Sequence, residues 1–213
     1  MKADRASLLL YAVTDRAWLG GDSLAERVEA AVKAGASFVQ LREKDAGDAS
    51  FLSRAKEIKA VTDRYGIPFV INDNVGVAIA CGADGVHVGQ GDMEAGEVRR
   101  LIGGDRILGV SVQTLEQAML AERSGADYLG VGAVFSTSTK PDADTVSYDT
   151  LKEICAGVSI PVVAIGGIDK NNIMTLSGSG ISGVAVVSAI FAQPDTAAAT
   201  KELRRLAGMM VKA

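Results

Sequence analysis

CGADGVHVG, residues 81–89, opens with a small residue and a glycine, passes a polar position and runs into an apolar, β-rich stretch. Glycine accepts the left-handed backbone that ends a helix, and the β-branched residues after it favour an extended chain. The phrase recurs as AGASFVQL from Ala34, SGADYLGVG from Ser124 and SGISGVAVV from Ser179. Each copy reads as a helix that stops at a glycine and passes quickly into a strand.

Working outward, four more apolar runs fall between these: LLLYAVTD from Leu8, PFVIND from Pro68, ILGVSV from Ile107 and PVVAIGGI from Pro161. None alternates cleanly between apolar and polar, which suits parallel strands buried on both faces. Helix signals separate them. Ser23-x-x-Glu26 forms a capping box ahead of a stripe of Leu24, Val28, Ala31 and Val32. Thr114-x-x-Gln117 is a second box, and residues 196–210 read as a closing helix. Strands alternating with helices over 213 residues predict one α/β domain, a (β/α)8 TIM barrel over residues 1–213. An open doubly wound sheet is the alternative, weakened by the absence of a Gly-Lys pair for a P-loop.

Composition narrows the function. With 48% hydrophobic residues the chain can build one sizeable core. A net charge of −4 argues against broad attraction to nucleic acid or to anionic membrane, so any cation used on an anionic ligand must act locally. Cys81 and Cys155 are far apart, form no CxxC and read as small buried hydrophobes in a reducing compartment. The longest N-terminal apolar run, Leu8–Val13, is too short for a signal or a membrane span, and a cytoplasmic protein is expected.

In a barrel of this kind the chemistry sits at the C-terminal ends of the strands. Those ends carry Thr14-Asp15, Gln40 to Lys44, Asn72-Asp73, Gln90-x-Asp92, Ser111, Thr137 to Lys140, Gly166-Gly167 and Val187-Ser188. In VQLREK, residues 39–44, alternation puts Gln40, Arg42 and Lys44 on one face and Leu41 and Glu43 on the other. The first face would offer two cations and an amide to one anion. Asp73 and Asp92 end neighbouring strands, and two carboxylates beside phosphate-binding cations suggest Mg²⁺. Asn72 and Asp73 cannot face one way in a regular strand, so one of them turns in the loop. Hydroxyls of FSTSTK, from Phe135, and the glycines at 166 and 167 suit a phosphate. His87, the sole histidine, falls on the parity opposite Gln90 and Asp92, which turns it toward the helices as a packing residue. Trp18 reads as an anchor of the first βα loop.

Taken in order, VQLREK, VINDN, GVHVGQGD, GVS, VFSTSTKPDA, AIGGI and VVSAI resemble the thiamine phosphate synthase family, from Val39 to Ile190, with YAVTD extending the likeness toward the start. The resemblance implies the (β/α)8 barrel and a transferase. The enzyme would join a pyrimidine methyl diphosphate to a thiazole phosphate and release pyrophosphate by a dissociative route. It implies that Gln40, Leu41, Arg42, Glu43, Lys44, Asn72, Ser111 and Lys140 hold the pyrimidine diphosphate. One Mg²⁺ per subunit would sit on Asp73 and Asp92. Thr137, Ser138, Thr139, Gly167, Val187 and Ser188 would hold the thiazole phosphate. Arg42, Lys44, Ser111 and Lys140 would assist departure of the diphosphate. The family often has Pro at Ser136, His near Gln113 and Pro near Ala133, so this chain departs from it there. A sister thiazole tautomerase would replace Ala133 by His. A sugar-phosphate isomerase on the same barrel would need a general base such as Asp15 or Asp73. A non-catalytic sensor would have no use for so complete a charged set. The sequence leaves open whether the chain forms a homo-oligomer.

Overall fold

The structure is a computed structural model and describes residues 3–43, 47–136 and 145–213. Eight strands, β1 (Leu10–Val13), β2 (Phe38–Leu41), β3 (Phe69–Asn72), β4 (Gly85–Val88), β5 (Ile107–Val112), β6 (Tyr128–Val131), β7 (Val162–Ile165) and β8 (Gly183–Val186), pair in chain order. All pairs are parallel, and β8 returns to β1 to close the barrel. Around it lie α1 (Leu24–Ala34), α2 (Asp48–Tyr65), α3 (Val75–Cys81), α4 (Ala95–Ile102), α5 (Leu115–Arg123), α6 (Tyr148–Gly157), the short α7 (Ser188–Phe191) and α8 (Thr196–Met210). None of the described helices is long and apolar enough to cross a membrane.

Local chemistry accounts for the boundaries. Ser23 Oγ accepts from Glu26 N at 3.2 Å, and the Glu26 carboxylate accepts from Ser23 N at 2.8 Å, so both box contacts form at α1. The buried face of α1 is Leu24, Val28, Ala31 and Val32. The second box is half made. Thr114 Oγ1 accepts from Gln117 N, but Gln117 Oε1 reaches one residue further back, to Gln113 N. Gly35, Gly82, Gly125 and Gly180, the glycines of the repeated phrase, have φ of 115°, 70°, 89° and 92°. The fourth copy follows a 3-10 turn at Ile173–Leu176, where a full helix was expected. Asp169 Oδ1 caps Asn171 N and Asn172 N just before it, and that side-chain turn competes with α-helical pairing.

Register divides the strand residues into two cores. Leu10, Val39, Leu41, Phe69, Val86, Leu108, Leu129 and Val184 face outward and pack under the helices. Tyr11, Phe38, Val70, Ile107, Tyr128, Val163 and Ala185 fill the barrel interior. The Tyr11 and Phe38 rings meet edge-on at 4.6 Å, and Phe38 meets Tyr128 at 5.5 Å. Gly109 faces this interior, where an added methyl would overlap Tyr128 and the imidazole of His87. Gly109→Ala is therefore expected to lower stability by about 1–3 kcal/mol through overpacking, read as a fall in the urea midpoint at unchanged m-value.

Candidate active site

At the C-terminal ends of the strands the barrel opens into a cavity of about 340 Å³. Its floor is polar and hydrogen-bonded across five strands. Gln40 Nε2 donates to Tyr11 Oη at 2.6 Å, and the Tyr11 and Tyr128 hydroxyls lie 2.8 Å apart. Tyr128 Oη is 2.8 Å from His87 Nδ1, and His87 Nε2 is 2.8 Å from Ser111 Oγ. Gln90 Nε2 donates to Ser111 O at 2.8 Å, which ties the loop after β4 to β5. Burial pushes the Tyr11 and Tyr128 hydroxyls well above their ordinary range, so both keep their protons. Burial also pulls His87 down to about 4, leaving a neutral imidazole at neutral pH.

The rim is charged. Arg42 and the carboxylates of Asp73 and Asp92 all line the opening. Asp73 is the first residue past β3 and takes φ of 63°, the turn that its adjacency to Asn72 requires. The Asn72 amide donates to the Asp73 carboxylate. Asp92 Oδ2 accepts from Gly89 N at 2.8 Å, which fixes it over the end of β4. Partial withdrawal from water and the facing Asp92 carboxylate push Asp73 up to about 7, against the opposing pull of Arg42. Asp73 stands at the exposed rim, so water screens part of that effect.

The chain that carries this site has relatives among known proteins. A family model described as thiamine monophosphate synthase matches residues 10–190. The thiamine-phosphate synthase of Clostridium tetani is 50% identical over 194 residues, covering 91% of this chain and 93% of the relative. That of Ruminiclostridium cellulolyticum is 51% identical over 194 residues, covering 91% and 92%. The chain belongs to the thiamine monophosphate synthase family. Among solved structures, a thiamine phosphate pyrophosphorylase from Pyrococcus furiosus superposes with a TM-score of 0.90 at 39% identity, covering 97% of this chain and 98% of that one.

Of the residues that the likeness to thiamine phosphate synthases singled out, the fold brings Gln40, Arg42, Asn72, Asp73, Asp92, Ser111 and Val187 to the cavity wall. Gly167 and Ser188 do not line it, although their chain neighbours Gly166 and Val187 do. Lys44 and Thr137, Ser138, Thr139 and Lys140 lie outside the described residues. Two side chains point elsewhere. Leu41 is fully buried in the outer core, so its side chain does not reach the cavity. Glu43, with 1% of its side chain exposed, accepts from Arg16 Nε at 2.9 Å and Arg54 Nη1 at 3.0 Å. It ties the loop after β1 to α2 and holds the end of β2 from behind.

His87 corrects its expected place. It is in register with Asn72 on β3 and Gly109 on β5 and faces the interior, not the helices. Strand parity relative to Gln90 and Asp92 does not hold for it, because β4 ends at Val88 and the turn beyond it breaks the alternation. Tyr11 and Tyr128 were missed altogether. Tyr11 could have been found by its register, since its strand partner Phe38 is two residues before Gln40 on the same face. Trp18 is partly buried against the outer core, and its carbonyl accepts from Arg27 Nη2 at 3.0 Å, which is an anchoring role.

The depressed His87 value has a direction in pH. The unfolded chain takes up a proton near 6.5, the folded chain only near 4. Stability is thus fully present above about 6.5 and is lost as pH falls through about 4, by an amount on the order of 3 kcal/mol. Urea midpoints of the wild type and of His87→Gln, compared from pH 7 to pH 4, should show a steeper acid decline in the wild type.

Proposed function

We propose that the chain is a thiamine-phosphate synthase. It condenses 4-amino-2-methyl-5-(diphosphooxymethyl)pyrimidine with 4-methyl-5-(2-phosphooxyethyl)thiazole to give thiamine phosphate and pyrophosphate. The observation that carries this reading is the convergence of Arg42, Asp73 and Asp92 on one rim above a floor with no ionised group. An anionic leaving group needs positive charge placed where its own charge grows, and the pyrimidine end needs a neutral, hydrogen-bonding seat. The family membership and the two relatives near 50% identity support the same assignment.

The residues also fit Mg²⁺. Burial, and then the facing Asp92 carboxylate, raise Asp73 to about 7, which makes the two a pair awaiting either a proton or a cation. Asp73 and Asp92 would hold the ion. When bound, Mg²⁺ neutralises charge on the departing diphosphate. Arg42 grips the diphosphate through its planar fork, and Ser111 contacts the substrate from the floor. Lys44 and Lys140 add point charge, and Thr137, Ser138, Thr139, Gly167, Val187 and Ser188 receive the thiazole phosphate. The diphosphate leaves first, with the C–O electron pair, and the resulting pyrimidine-stabilised methylene cation is captured by the thiazole nitrogen. No side-chain nucleophile takes part. The two cysteines, both unpaired, fit a cytoplasmic setting.

The test is turnover of the purified protein with both substrates and Mg²⁺, following pyrophosphate and thiamine phosphate with an EDTA control. Product that requires both substrates and metal supports the assignment. Absence of product while the thiazole phosphate still binds would refute it.

A further inference from the structure

The hydrogen-bonded floor has a direction. The amide nitrogen of Gln40 has only protons to give, so Tyr11 Oη accepts from it. Tyr11 keeps one proton of its own to give, and the acceptor within reach among the described residues is Tyr128 Oη, 2.8 Å away; with that bond so directed, the Tyr128 proton is left for His87 Nδ1 at 2.8 Å. A neutral imidazole that accepts at Nδ1 carries its one proton on Nε2, and it donates that proton to Ser111 Oγ. Among the described residues His87 is the hydrogen-bond partner of Ser111 Oγ, so the serine's own proton is left for the cavity that Ser111 lines. Run the other way, the same chain would make Ser111 donate to His87 and present only lone pairs to the ligand. An anionic ligand is held by the first sense and repelled by the second.

The surroundings are built for this chain. Added methyls at Gly109 and Gly130 would both crowd the His87 ring, the second at 3.2 Å from Cε1. The two tyrosine rings are themselves locked edge-on at 5.9 Å. We propose that Tyr11 and Tyr128 are positioning residues: they transmit the donor sense of the Gln40 amide to His87, fix its tautomer, and so present the Ser111 hydroxyl as a donor to an acceptor atom of the bound substrate. The inference rests on the reading of Ser111 as a substrate contact. It assigns to the tyrosines of the floor control over which way that contact points.

Because His87 is the only histidine, ¹⁵N-histidine labelling reports a single imidazole. In the ligand-free wild type the ¹⁵N spectrum should show an unprotonated Nδ1 and a protonated Nε2. A proton on Nδ1, or rapid exchange between both tautomers, overturns the proposal. Tyr128→Phe keeps the ring and removes the donor to Nδ1. It should mix the tautomers and lower kcat roughly tenfold with little change in KM for the thiazole phosphate. Tyr11→Phe leaves Tyr128 free to donate and should do less. An unchanged tautomer and an unchanged kcat in Tyr128→Phe would also overturn it. The labelling readout needs no turnover. An inactive wild type with the expected tautomer therefore counts against the synthase reading, whereas the wrong tautomer in an active enzyme counts against this inference alone.

Discussion

Asp92→Asn lowers turnover by roughly 10²–10³-fold without lowering the melting temperature of the metal-free protein. Both halves follow from the pair it forms with Asp73. Desolvation and the facing Asp92 carboxylate push Asp73 up to about 7, so a second negative charge on the metal-free site is disfavoured. Neutralising Asp92 relieves that repulsion, while the asparagine oxygen can still accept from Gly89 N. The same change removes half of the proposed cation seat. Mg²⁺ should accordingly raise the melting temperature of the wild type and leave that of Asp92→Asn unchanged. Steady-state rates and thermal scans with Mg²⁺ or EDTA measure both effects. A variant that keeps the Mg²⁺-dependent rise would remove Asp92 from the metal site.

Arg42→Ala should lower kcat/KM by about 10²-fold, and Arg42→Lys should recover only part of it. Arg42 lines the cavity on the β2 side, and its backbone N–H is held by Thr14 Oγ1 at 3.1 Å. Its fork matches two oxygens of a diphosphate at once, whereas lysine brings charge without that geometry. The comparison of the two variants under saturating and limiting pyrimidine diphosphate separates charge from shape. Equal rates in wild type and Arg42→Lys would mean that only charge matters at this position.

The barrel was legible because its cues are local. The Ser23 box, the stripe from Leu24 to Val32 and the left-handed glycines at 35, 82, 125 and 180 each act within a few residues. The rim was legible for a related reason: Gln40 and Arg42 obey strand alternation, and Asn72 and Asp73 announce their own turn. What escaped was whatever depends on register between strands. His87 faces inward because it is level with Asn72 and Gly109, a fact about neighbouring strands that its own segment does not contain. Tyr128 lies 41 positions from His87 and 117 from Tyr11, and only closure of the barrel brings them together. Glu43 shares the charge of VQLREK but not its direction, since Arg16 and Arg54 draw it behind the strand.

The division of the strands between two cores has a consequence for how this protein tolerates change. The outward-facing side chains, packed under the helices, carry the larger apolar cluster. The inward set is small and ends in the hydrogen-bonded floor. Variation at Arg42, Asn72, Gln90 or Gln113 therefore alters what the mouth recognises while the greater part of the hydrophobic cohesion stays intact. New substrate preferences are accessible to this chain by short mutational paths through the rim, whereas a route through Tyr11, Gly109 or Tyr128 would have to rebuild the floor at the same step.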